Sequence, residues 1–156
     1  MIDTIIFDAD GVVVDSEAVW DQCMSEFLSR RGCAYGRSRF KHILGGRSAV
    51  DGVRILQEAY GFDGEIEDLV RERLSIAQRF FESNGPNFIQ GFQNFYKMVR
   101  DNYKTCIATS MDRELLEIAD EKLRIISLFQ GNVFTVADVG YASKPKPDLS
   151  CTLQRN

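Results

Sequence analysis

No apolar stretch of the chain approaches the ~20 residues that a membrane-spanning helix requires. The apolar run at the start is interrupted by Asp3, Asp8 and Asp10, and neither a basic flank nor a small-residue cleavage site accompanies it, so it does not read as a secretory leader. The default location is therefore the cytoplasm, with no membrane partner. Basic clusters are also missing, and a net charge of −4 with a pI of about 5.1 leaves out the electrostatic footprint of a nucleic-acid binder. The four cysteines, Cys23, Cys33, Cys106 and Cys151, show no C-x-x-C spacing; they read as free thiols in a reducing compartment rather than a disulfide frame or zinc site. There is no internal repeat and no low-complexity segment. What remains is 156 residues, 44% of them hydrophobic, enough for one globular domain or a modest core with an inserted subdomain.

The most informative stretch is Ile5-Ile6-Phe7-Asp8-Ala9-Asp10-Gly11. A short apolar run stopped by an acidic turn reads as a buried strand whose C-terminal end carries a site, which is where open α/β sheets bind ligands. Side chains alternate along an extended segment, so Asp8 and Asp10 are expected on one side with Ala9 turned away. Two carboxylates so placed suit a hard cation and a phosphorylated substrate.

Beyond Asp15 the pattern becomes helical. Val19, Trp20, Cys23, Met24, Phe27 and Leu28 fall on one face of a helix entered at Asp15 or Ser16 and stopped by Gly32. Ser48 with Asp51 resembles a capping box opening a helix to Tyr60, with Gly61 at its end. Ile66, Leu69, Val70, Leu74, Ala77, Phe80 and Phe81 form a third stripe, ended by Asn84-Gly85-Pro86. The pattern divides the chain into an α/β core over 1–15 and 86–156 and a helical insertion over 16–85. From Phe88 a helix over 92–102, a strand Thr105–Thr109, a helix over 112–123 and a strand over 133–136 follow, and Asp148 caps a last helix. The sheet is expected to be parallel, with its first strand at Ile2–Phe7. Phe80, Phe81, Phe92, Phe95 and Tyr96 are at helical spacing and read as core.

Taken in order, Asp8-Ala9-Asp10-Gly11, then Thr109 after a strand, then Lys144-Pro145 after another resemble the haloacid dehalogenase superfamily of phosphohydrolases, in its β-phosphoglucomutase and phosphoglycolate phosphatase branch. Singly these motifs are weak: D-x-D turns occur in metal-dependent glycosyltransferases, Thr-Ser pairs cap helices, and Lys-Pro is a common loop dipeptide. Their order at three strand ends carries the resemblance, which spans nearly the whole chain. It implies a Rossmann-like core with a helical cap, Mg²⁺ as cofactor and an aspartyl-phosphate intermediate. Asp8 would be the nucleophile, Asp10 the general acid and base, and Thr109 and Lys144 the partners of the transferring phosphate; Asp8 and the Asp10 carbonyl would hold the metal. Gly11, Gly46, Arg47 and Ser110 would line the substrate, Arg47 gripping a second anionic group from the Leu44-Gly45-Gly46-Arg47-Ser48 turn. A solvated arginine beside a helix start is the competing reading of Arg47. His42, the only histidine, reads as a surface or packing residue because the aspartates already supply acid and base.

Asp10 favours phosphate esters, since in the family carbon–halogen hydrolases and the phosphonate branch lack an acid there. Trp20 stands where the mutases carry a histidine, which points to a plain phosphatase of a small phosphorylated metabolite rather than a phosphosugar mutase. The family's fourth motif, an acidic pair completing the magnesium shell, does not follow Lys144. On the family pattern its absence leaves the Asp8 strand at an edge, which implies weak Mg²⁺ binding, slow turnover and a homodimer through that edge. The chain is then expected to be either a fragment of a longer protein or a truncated homologue, and the second functional expectation is a truncated, catalytically poor module that binds phosphorylated ligands or a protein partner. Asp138 and Asp148, near the third strand's end, are the remaining candidates for the metal shell.

Overall fold

The computed structural model describes residues 2–139. Lys144, Asp148, Cys151 and the last expected helix lie outside the described residues. In chain order the elements are β1 (Thr4–Phe7), β2 (Val14–Asp15), α1 (Glu17–Ser29), α2 (Arg37–Leu44), α3 (Ala49–Tyr60), α4 (Ile66–Asn84) and β3 (Asn87–Phe88). After these come α5 (Phe92–Val99), β4 (Lys104–Thr109), α6 (Arg113–Leu123), α7 (Ile125–Leu128) and β5 (Val133–Thr135), closed by a 3-10 turn over Val136–Val139.

The fold is α/β. Its parallel sheet has the order β1-β4-β5, with Phe7 level with Ile107 and Thr109 level with Thr135. All three strands therefore end on the same edge. One face of β1 and β4 builds the core. Phe7 meets Phe92 edge-on at 5.8 Å and Phe129 at 5.6 Å, and Tyr96 tilts onto Phe129 at 4.7 Å. Aromatic rings fill this layer with large apolar area and favoured edge contacts. The Tyr96 hydroxyl is satisfied by donating to the Leu128 carbonyl at 2.8 Å.

Helices α1 and α4 pack along their apolar stripes. Val19, Cys23, Met24, Phe27 and Leu28 on α1 face Leu69, Ile76, Ala77 and Phe81 on α4, every one of them buried. Charges lace the outer rim: Glu26 takes Arg30 at 2.6 Å and Arg79 at 2.5 Å, while Glu72 takes Arg30 at 3.0 Å and Arg31 at 2.5 Å. Ser48 opens α3 as expected, accepting from the Asp51 N–H at 3.1 Å, and Gly61 closes it at φ 68°, where a Cβ would be strained.

Several details differ from the sequence reading. The first strand begins at Thr4 rather than Ile2, although the Asp3 carbonyl still accepts from the Lys104 N–H at 2.9 Å. The last strand ends at Thr135 because Val136 turns into the 3-10 segment. The β2–β3 pair was not expected: Val14 pairs with Phe88 and Asp15 with Asn87, antiparallel. Two residues per strand are too few for any periodicity to register. Together they clasp the chain where the helical segment leaves and rejoins the sheet.

Candidate active site at the strand ends

Asp8 follows directly on β1, half-buried, with Oδ1 accepting from the Ala9 N–H at 2.9 Å. Ala9 is fully buried, and its carbonyl collects the N–H groups of Val12, Val13 and Val14 at 3.3, 3.0 and 2.8 Å. That knot turns the chain through Gly11, whose φ of 73° is ready for glycine but strained for a side chain. Asp10 is thereby carried off the strand line and toward α1. Its Oδ1 accepts from the Ser16 hydroxyl, and from the Trp20 indole Nε1–H at 3.0 Å.

Thr109 ends the adjacent strand, one strand spacing of ~4.8 Å from the β1 line. It is buried, at 1% exposure, and its hydroxyl accepts from the Met111 N–H at 3.1 Å, which fixes the turn into α6. A hydroxyl that accepts there still holds its own proton to donate. The next residue, Ser110, donates from Oγ to the Gly46 carbonyl at 2.8 Å. This bond brings the α2–α3 turn, and with it exposed Arg47, to the end of β4. Gly46 and Ser110 are thus brought together, whereas Lys144 lies outside the described residues. His42 is exposed on α2.

Two residues to which the sequence assigned no site role also belong to this neighbourhood. Arg73, on α4, is buried at 8% exposure, and its Nη1 donates to the Ala49 carbonyl at 3.2 Å. Burial pulls its guanidinium below the ordinary arginine value, against the charges of Asp112 and Asp10 among others. Asp112, the residue before α6, is pushed up by burial, with Arg73 pulling the other way. A signal for Arg73 did exist: position 73 falls on the apolar stripe between Leu69 and Ile76–Ala77, where a charge must be buried.

The Asp8 carboxylate and the Asp10 carbonyl, the metal donors that the family resemblance implies, are hard oxygens of the kind that could hold Mg²⁺. Among the described residues, no group of three or more His, Cys, Asp or Glu side chains is placed to hold an ion. Asp138 is engaged by other partners: its carboxylate takes Arg113 at 2.8 and 3.0 Å and the Thr135 N–H at 2.6 Å.

The chain is 26% identical over 148 residues to (DL)-glycerol-3-phosphatase 2 of Arabidopsis thaliana, a match covering 92% of this chain and 60% of that protein. It therefore spans less than two thirds of that relative's length. Among solved structures, a hydrolase from Pseudomonas syringae superposes with a TM-score of 0.79 at 24% identity, covering 99% of this chain and 70% of that one. CbbY from Rhodobacter sphaeroides, solved with xylulose-(1,5)bisphosphate, superposes with a TM-score of 0.79 at 17% identity, covering 99% and 72%. At these identities the superpositions speak for the fold alone. The sequence pattern of the haloacid dehalogenase-like hydrolases, by contrast, matches residues 2–152, nearly the whole length, and the chain belongs to that family.

Proposed function

We propose that the site hydrolyses the phosphomonoester of a small metabolite through an aspartyl phosphate on Asp8, with Mg²⁺ bound. The observation that carries this reading is the placement of Asp8 and Thr109 at the ends of adjacent parallel strands, with Asp10 two residues after Asp8 and turned toward α1. The kinship with glycerol-3-phosphatases supports it. Asp8 attacks phosphorus and displaces the alcohol oxygen, so one difficult displacement becomes two easier ones. Asp10 gives the leaving oxygen its proton and later takes one from the water that attacks the acyl phosphate. The Thr109 hydroxyl donates to an equatorial oxygen, where charge accumulates, and Lys144 supplies positive charge there by the family pattern. Mg²⁺, held by Asp8 and the Asp10 carbonyl, would neutralise phosphate charge. Gly11, Gly46, Arg47 and Ser110 shape the substrate space, with Arg47 set to meet a second anionic group.

A second reading, a phosphoester-binding module of low turnover, draws on the small metal donor set among the described residues. Both are tested by release of phosphate from glycerol 3-phosphate, phosphoglycolate and an aryl phosphate, with Mg²⁺ or chelator, by the wild-type and Asp8→Asn chains. Mg²⁺-dependent release that Asp8→Asn abolishes supports hydrolysis. Binding without release supports the module, and release indifferent to Asp8→Asn would sink the mechanism.

A further inference from the structure

Asp10 is held by residues at the start of α1. The Ser16 hydroxyl and the Trp20 indole donate to the same oxygen, Oδ1. Two donors on one carboxylate oxygen restrict rotation of the group about its own bond, because turning it breaks both. An indole N–H only donates, so this bond has a single sense and needs the carboxylate as acceptor. Trp20 is in turn fixed from α4. Phe81 meets its ring edge-on at 6.1 Å, and the buried Arg73 guanidinium stands 5.3 Å from the ring centroid. A continuous set of contacts therefore runs from α4 through the indole to the Asp10 carboxylate.

We infer that Trp20 is a positioning residue: it sets the orientation of the acid/base carboxylate and ties that orientation to the seat of α4. The inference rests on the reading of Asp10 as acid and base. Packing alone does not account for the indole, since the apolar ring contacts need no N–H. A phenyl ring at position 20 keeps most of those contacts and loses the bond to Asp10. Shifting α4 away from the strand ends would release the indole, and Asp10 with it. Proton transfer would then be competent only when the helices sit as they do here.

Trp20 is the sole tryptophan, so one indole N–H resonance reports on it without assignment ambiguity. In ¹H–¹⁵N spectra of the full chain this resonance is expected downfield and slow to exchange with solvent. Asp10→Asn should move it and speed its exchange, while Asp8→Asn should leave it in place. An indole resonance indifferent to Asp10→Asn overturns the inference, and this readout needs no turnover. In kinetics, Trp20→Phe should lower kcat about tenfold or more with KM little changed, and Trp20→His, which restores an N–H donor, should recover part of the loss. A folded Trp20→Phe chain with wild-type kcat also overturns it. Full hydrolysis by Asp10→Asn overturns the acid/base reading itself, and is told apart because the indole response to Asp10→Asn is measured separately.

Discussion

At the scale of single residues, burial decides what each reactive group can do. Cys23 is fully buried, with its thiol 3.5 Å from the Arg73 carbonyl, and desolvation pushes its pKa up to about 11. Cys33 is only half-buried. Because the thiolate is the nucleophile, an alkylating reagent at about pH 8 should modify Cys33 well before Cys23, and unfolding should erase the difference. Peptide mass mapping at timed intervals checks the order; equal rates in the folded chain would contradict it. Arg73 offers a second case. A Cβ built on Gly52 would stand 2.7 Å from Arg73 Nη1, so Gly52→Ala must displace the guanidinium from its bond to Ala49. Overpacking of this kind costs about 1–3 kcal/mol. Denaturant melts measure it, and an unchanged midpoint would show that the guanidinium moves without cost.

At the scale of elements, the α1–α4 pair is the stability unit of the helical segment. Phe27 is fully buried in it, so Phe27→Ala should cost about 3–5 kcal/mol, read from the shift in denaturant midpoint. Glu72 on α4 is held below the usual carboxylate range, first by its hydrogen bond from Arg31 and then by Arg30. A depressed carboxyl stabilises the fold above its unfolded pKa, and that contribution is lost as pH falls through the folded value. Melting temperature should therefore fall less steeply on acidification below about pH 5 in Glu72→Gln than in the wild type. Parallel slopes would show that the ion pair contributes nothing. These helices were legible in the sequence because their stripes are long and their ends carry local chemistry: Ser48 with Asp51, Gly61, and Gly85 after Asn84. The β2–β3 clasp was not legible, being two residues a side. The grip of Trp20 on Asp10 was hidden as well. It joins positions ten apart through a turn whose shape depends on Ala9, and no periodic pattern records such a contact.

At the scale of the whole molecule, the helical segment sits on the strand ends through Ser110 and Gly46 and through the contacts of α4 with α6. Asp8 and Thr109 were readable because a parallel sheet sends all its C-terminal strand ends to one edge. Arg73 left a trace as a charge on the apolar stripe of α4, but its place near Asp112 and Asp10 depends on how the helices dock. Among the described residues β1 has a strand neighbour on one side only, and Ile6 on it is 44% exposed. Backbone groups without a strand partner among the described residues, beside exposed apolar side chains, favour association, so the 156-residue chain is expected to run as a dimer or larger species in light scattering, and a monodisperse monomer would contradict that. The central proposal is narrower: a carboxylate oxygen of Asp8 accepts the phosphoryl group. Fluorine NMR of the chain with Mg²⁺ and beryllium fluoride, a mimic of the aspartyl phosphate, tests it most directly. Bound fluoride resonances are expected with the wild-type chain and should vanish in a folded Asp8→Asn chain. No bound signal at saturating Mg²⁺, or one that survives Asp8→Asn, would contradict the account.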